Sequence, residues 1–223
     1  TLFRSYSTES VAELVFAMIL HFAFRPADHD RAVKSGHWSR SPDFCFFLTP
    51  LRELAGKTLV VVGQGAIGRA VSRIGTAFGM KVVPAAVPGS TTRDRVPLAQ
   101  ALPLADVVTL HCPLTPATQG LVGRAFLEAL APGAILINTS RGPVVDQTAL
   151  LETLAKGKLG GVGLDVLERE PPLPDDPLLA PDAPWADRLL VTPELKPGKL
   201  LDKFLQCANA AGQRHEGVRL LEH

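Results

Sequence analysis

The chain has 223 residues, and 23 Lys and Arg stand against 22 Asp and Glu, a formal charge of +1. That balance leaves no electrostatic footprint for nucleic acid or an anionic membrane surface. A hydrophobic fraction of 46% with 20% charged residues suits a globular core and excludes bulk disorder, and the length allows one full domain plus part of another. The longest near-apolar stretch, 11–24, contains Glu13 and His21 and is too short and too polar to span a bilayer. It has no basic leader and no cleavage site after it, so no signal peptide is in view. Cys45, Cys112 and Cys207 have no CxxC spacing, which fits a reducing, cytoplasmic setting and argues against a disulfide framework or a zinc site. Thr1 in place of Met reads as a fragment or a processed product.

Ser10-Val11-Ala12-Glu13 has the spacing of a capping box and opens a helix over 11–24, ending before Pro26. This helix is apolar on nearly all sides and needs cover on several faces. Residues 25–55 are mixed, and the run Phe44-Cys45-Phe46-Phe47-Leu48 between two prolines reads as an arm that packs either on the local core or on a second subunit. From Gly56 strands and helices alternate. Strands are predicted at 58–62, 81–86, 106–110, 134–137, 161–164 and 189–191. Helices are predicted after Gly68 to Phe78, at 98–102, at 124–130, and at 148–156 with Asp146 as N-cap. Short apolar strands alternating with helices argue an α/β fold of the Rossmann type, a doubly wound parallel sheet covered on both faces. Residues 168–184, rich in proline, read as loop, and of the last stretch only 199–206 looks helical.

Gly63-Gln64-Gly65-Ala66-Ile67-Gly68 sits between the first of these strands and a helix. A bare GxGxxG is weak, but this context is the one a dinucleotide requires. Gly63 permits the tight turn, Gly65 lets backbone approach a pyrophosphate, and Gly68 allows helix to pack on strand, with the helix N–H groups facing the anion. NAD-selective sites of this kind carry an acid at the end of the second strand. Here Ala86 takes that place and no acid follows, so a 2′-phosphate meets no repulsion; Ser90, Thr91, Thr92, Arg93 and Arg95 follow in a loop and read either as groups that hold that phosphate or as a solvated loop. The cofactor is NAD or NADP.

With the glycine turn counted, seven short segments stand in one order: Ser10 to Glu13, Ser35-Gly36-His37-Trp38, Leu54-Ala55-Gly56-Lys57-Thr58, the turn itself, His111-Cys112-Pro113-Leu114-Thr115 with Thr118, Ile137-Asn138-Thr139-Ser140-Arg141-Gly142, and Gly163-Leu164-Asp165 through Glu170-Pro171. With these the chain resembles the D-isomer-specific 2-hydroxyacid dehydrogenases, and within them the glycerate dehydrogenases and hydroxypyruvate reductases through Asp43 to Phe47 and Phe78-Gly79-Met80. The resemblance implies hydride transfer between a nicotinamide and a small 2-keto or 2-hydroxy acid, and a homodimer. By position, Arg141 would clamp the substrate carboxylate and carbonyl, a task its rigid donor fork suits. Glu170 would pair with the family's acid–base histidine and raise its pKa. Ala66 and Ile67 would join the glycines at the pyrophosphate; His111, Pro113 and Thr118 would line the far side; Thr139, Ser140 and Asp165 would lie along the nicotinamide end.

Two departures stand against it. The family's histidine follows Thr-Pro after the last strand, but Thr192-Pro193 is followed by Glu194. Lys196-Pro197-Gly198 then interrupts the long helix expected next. The chain thus divides into 1–55, a buried helix and dimer arm; 56–193, the nucleotide-binding domain; and 194–223, a divergent tail, with only remnants of a substrate domain. The rival to an active oxidoreductase is a catalytically silent dinucleotide-binding or dimerisation fragment.

Overall fold

The computed structural model describes residues 3–91 and 94–195, with side chains inside the first helix from Thr8 onward. Thr92, Arg93, the expected helix at 199–206 and the tail beyond Leu195 lie outside the described residues.

Six parallel strands form one sheet in the order β2-β1-β3-β4-β5-β6: β1 Thr58–Val62, β2 Lys81–Ala85, β3 Val107–Leu110, β4 Ile135–Asn138, β5 Gly161–Leu164 and β6 Leu189–Val191. Every residue of β3, β4 and β5 is buried. Successive side chains point to opposite faces, so each strand feeds two cores. Val60, Val62, Val108, Leu110 and Leu136 pack under helices α4 (Leu98–Ala101), α5 (Arg124–Ala129) and α6 (Gln147–Ala155). Leu59, Val61, Val107, Ile135 and Ile137 pack under α1 (Phe3–Phe24) and α3 (Ala66–Ala77). Asp146 caps α6 by accepting the Ala149 N–H at 3.0 Å. Val96 adds one parallel bridge to Ala85 at the outer edge.

Helix α1 begins at Phe3, so Ser10 and Glu13 lie inside it rather than at its start. The capping-box spacing is also the spacing of any two helical neighbours three residues apart, which is why the motif misplaces this boundary. Its inner face, Val15, Met18, Ile19 and Phe22 among others, is buried on the sheet, and full burial of each such side chain stabilises by about 1.5–3 kcal/mol. The outer face is left to solvent in part, with Ala17 and Phe24 exposed. Glycines make the seat: a Cβ on Gly161 would lie 2.5 Å from the Phe22 ring.

Residues 26–34 form a further helix, α2 (Pro26–Lys34), that hydrophobic periodicity does not reveal because none of its residues is buried. Its signals are terminal: Pro26 in the first turn, Asp28 near the start, Arg31 and Lys34 near the end. Arg25, at φ 46, turns the chain between α1 and α2. The arm at 44–48 splits its alternatives. Phe46 packs against the rings of His29 and His37, whereas Phe44 and Phe47 are 90% and 66% exposed.

Gly161→Val should destabilise the fold by about 1–3 kcal/mol through overpacking against α1, read from urea unfolding. A Gly161→Val/Phe22→Leu double variant should lose less than the two single losses added, since the smaller side chain relieves the clash.

Candidate functional site

The order of the sheet reverses between β1 and β3, and open α/β sheets bind ligands at that point, outside the carboxyl ends of the strands. There Gly63 leaves β1 at φ 101, and a Cβ on it would stand 2.7 Å from the His111 carbonyl oxygen. A Cβ on Gly68 would stand 2.0 Å from the Gly63 carbonyl oxygen, so only glycine lets α3 pack this close to its own entry turn. Gly65 differs: nothing lies within 4 Å of its would-be Cβ, and it faces an open cleft of about 660 Å³. The fold makes no demand for glycine at 65. Ala66 and Ile67 begin α3 just behind it.

Ala85 and Val87 form the cleft wall at the end of β2; His111, Pro113, Thr115 and Ala117 form the wall beyond β3. Thr118 is buried, and its hydroxyl is used within that loop: it accepts the Thr115 N–H at 2.8 Å and donates to the Pro113 carbonyl at 2.7 Å. It therefore shapes the loop without lining the cleft. His111 is partly buried, its Nε2 bonded to the Thr109 hydroxyl, and burial pushes its pKa down to about 4.

A second group gathers at the carboxyl ends of β4, β5 and β6. Asn138, buried at the end of β4, accepts from the Ser140 N–H at 3.0 Å and hydroxyl at 2.8 Å, and donates to the Arg141 carbonyl at 2.9 Å. It sets the turn that carries Thr139, Ser140 and Arg141. A Cβ on Gly142 would fall 1.8 Å from the Leu167 carbonyl oxygen, so the β4 and β5 loops touch backbone to backbone. Arg141 is exposed, with Nη1 donating to the Ser140 carbonyl at 2.6 Å. Thr139 Oγ1 is buried and has no hydrogen-bond partner among the described residues.

Asp165 is buried after β5; its Oδ1 accepts from the Thr192 hydroxyl at 2.7 Å and from the Leu195 N–H at 2.8 Å. It thus holds the segment in which Glu194 sits at φ 53, in the left-handed region. Glu170 turns back on its own loop, Oε1 accepting the Leu167 N–H at 3.0 Å.

The chain therefore brings the glycine turn, His111 and Pro113 around one cleft, and Thr139, Ser140, Arg141 and Asp165 around the neighbouring strand ends. Asn138 and Gly142 do structural work that motif reading passed over. The available signal was a polar side chain closing an apolar strand, which must find partners when buried.

The D-isomer specific 2-hydroxyacid dehydrogenase NAD binding domain matches residues 16–193. The chain belongs to this family. Among curated relatives of these dehydrogenases, a glycerate dehydrogenase of Methylorubrum extorquens is 39% identical over 86% of this chain and 60% of its own length. A hydroxypyruvate reductase of Blautia hydrogenotrophica is 36% identical over 86% of this chain and 59% of its own. The chain spans about three fifths of the length of these relatives. The D-lactate dehydrogenase of Aquifex aeolicus, solved with NAD and lactic acid, superposes with a TM-score of 0.73 at 31% identity, over 93% of this chain and 68% of that one. An acyclic imino acid reductase solved with NADPH and D-Arg gives 0.71 at 26% identity, over 93% and 65%. Both groups of residues thus lie in a dehydrogenase NAD-binding domain. Among the described residues no single helix is long and apolar enough to cross a membrane.

The His111 shift makes stability depend on pH. Its folded pKa of about 4 lies below the usual 6.5, so the unfolded chain binds the extra proton first. Stability is full above pH 6.5 and falls as pH drops from there toward 4. The upper bound is about 3 kcal/mol, lowered by solvent in the open cleft. His21, whose pKa burial also lowers, acts in the same direction. Urea unfolding at pH 7 and pH 4.5 should show a smaller difference for His111→Gln than for the unaltered chain.

Proposed function

We propose that this chain is the dinucleotide-binding part of an oxidoreductase acting on a small 2-keto or 2-hydroxy acid, using NAD or NADP. The carrying observation is Gly65, a glycine that no neighbour requires, at the start of a twelve-residue helix and open to the cleft. The relatives' names, glycerate dehydrogenase and hydroxypyruvate reductase, support the substrate class. Residues 56–193 are the nucleotide-binding domain, 1–55 its leading helix and dimer arm, and 194–223 a tail. Gly63, Gly65, Ala66, Ile67 and Gly68 would hold the pyrophosphate at the α3 N-terminus; His111, Pro113 and Thr118 shape the far wall; Thr139, Ser140 and Asp165 would lie along the nicotinamide end. The bound dinucleotide supplies or accepts the hydride. The Thr139 hydroxyl, buried and without a partner among the described residues, supports the fit, since such a group costs free energy until something bonds to it.

Arg141 orients the substrate by its carboxylate and stabilises charge growing on the carbonyl oxygen, but it gives up no proton at neutral pH. Glu170, tied to the Leu167 N–H, remains the family's candidate partner for an acid–base group. The residue after Thr192-Pro193 is Glu194, and an ionised carboxylate cannot donate a proton while its charge opposes the substrate. Loss of general acid catalysis costs about 10²–10⁴ in rate. The exposed Phe44 and Phe47 and the open outer face of α1 support a homodimer through this domain, which sedimentation at micromolar concentration decides. A cytoplasmic location goes with three cysteines lacking CxxC spacing.

Gly65→Val should fold normally and lose dinucleotide binding in calorimetry; unchanged binding would sink the cleft as the cofactor site. In a chimera supplying a relative's substrate domain, Glu194→His should raise turnover of hydroxypyruvate or glyoxylate by about 10²-fold or more. Full activity with Glu194 in place would show that the glutamate suffices.

A further inference from the structure

Residues 47–51 are anchored at both ends and hardly between them. Ahead of them, the Phe46 ring lies 5.9 Å from the His29 ring and 4.6 Å from the His37 ring, centroid to centroid. The Trp38 indole N–H also donates to the Phe44 carbonyl at 2.9 Å. Behind them, the Arg52 N–H donates to the Ala23 carbonyl at 3.1 Å and Arg52 Nη1 to the Gly133 carbonyl at 2.7 Å. Among the described residues, one hydrogen bond holds the five residues in between: the Leu48 N–H donates to His29 Nε2 at 3.3 Å. Phe47, Leu48 and Leu51 are exposed, so packing adds little to that bond.

These partners fix the state of the imidazole. His29 Nδ1 stands 3.0 Å from the Arg25 carbonyl oxygen, which can only accept, so Nδ1 carries the proton. The Leu48 amide can only donate, so Nε2 is bare. The bond therefore needs the neutral ring, and a proton on Nε2 would set N–H against N–H. Histidine is the one side chain that ordinarily changes charge between pH 5 and 8. The other charges nearby come in pairs. Asp28 pairs with Arg25 at 3.7 Å and with Arg31, Lys34 with Asp30 at 2.7 Å, and Arg25 with Asp187 at 3.8 Å. His21 on α1 feels Asp28, Arg25 and Arg31, and burial lowers its pKa. The arm 44–48 brings no charged side chain, Cys45 being its one titratable group, and Arg40 and Asp43 precede it. His37, across Phe46, would be drawn to that ring once charged, which tightens the arm rather than freeing it.

We propose that His29 is a pH-sensitive latch on the arm: acid breaks its bond to the Leu48 N–H, frees residues 47–51 and thereby weakens self-association. The latch stands on the His29 contacts alone. Its coupling to self-association rests on the homodimer reading, in which the exposed Phe47 belongs to the contact. Phe46 keeps its ring neighbours and Phe44 its bond from Trp38, so the release is confined to the end of the arm that precedes Arg52.

The test is nitrogen NMR of the histidine rings and the Leu48 amide, with sedimentation at micromolar concentration, at pH 7.5 and pH 5.5. At pH 7.5 His29 should carry its proton on Nδ1. On acidification the Leu48 amide should shift in step with His29, and its protection from hydrogen exchange should fall by about tenfold. Amides of the buried β1, such as that of Val61, should keep theirs. His29→Gln offers Leu48 an acceptor at either pH and should abolish the fall, whereas His37→Gln and His21→Gln should not. The dimer should dissociate more readily at pH 5.5 in the unaltered chain and equally at both values in His29→Gln. A proton on Nε2 at pH 7.5, a Leu48 response that does not follow His29, or the same fall in His29→Gln would overturn the latch. With the Leu48 response intact, a dimer indifferent to pH would overturn the coupling alone. A monomer at both values would overturn the homodimer reading and the coupling with it, while the Leu48 response still decides the latch.

Discussion

A parallel sheet whose strands are buried on both sides must be covered on both sides, and in this chain that requirement falls heavily on α1. The helix precedes every strand in sequence, yet its inner face closes the lower core over β4 and β5 together with α3. Cover at this distance needs room. Gly161 and Gly163 on β5 leave space for Phe22 and Met18, and Gly75 on α3 leaves space for Leu59. Side chains at those places would lift the helix off the sheet. The carboxyl ends of the strands, where all the candidate chemistry lies, keep their spacing because both cores beneath them are filled.

Above that platform, backbone contacts rather than side chains set the geometry. Gly63 against His111, Gly68 against Gly63, and Gly142 against Leu167 bring chain to chain at distances that admit no Cβ. Gly65 belongs to another kind, because its glycine answers to space rather than to a neighbour. The same contrast separates Thr118, which spends its hydroxyl on its own loop, from Thr139, whose hydroxyl is buried and without a partner among the described residues. Groups already satisfied hold the site in shape.

Asp165 joins these two roles. Its carboxylate ties the exit of β5 to Thr192 and Leu195 beyond β6, and so fixes the backbone on either side of Glu194. The position that follows Thr192-Pro193 is therefore built with care even though its side chain is not a histidine. Among the described residues charge around the cleft is sparse: a neutral His111 on one wall and Arg95 in the outer lobe.

Much of this was legible in the residues alone. Short apolar runs bounded by glycine and proline placed all six strands to within a residue, most plainly the central ones, where burial on both faces favours apolar sequence. The glycine turn was readable because an apolar strand precedes it and a helix follows it. Local chemistry also placed the Asp146 cap. What the tertiary structure decided was whatever depends on partners far along the chain. The start of α1 at Phe3 escaped because the Ser10–Glu13 spacing is shared by every helix interior. Helix α2 escaped because, with nothing buried, it has no periodic stripe to read. The motif assigned separate roles to Gly63, Gly65 and Gly68, but what stands opposite each missing Cβ, the His111 carbonyl, open space and the Gly63 carbonyl, needed the fold. The division of labour within the arm, Phe46 inward and Phe44 and Phe47 outward, required the rings of His29 and His37 to be in place. The outer lobe of the cleft, with Arg95 beside the end of β2, exists only once Val96 has bridged to the sheet edge.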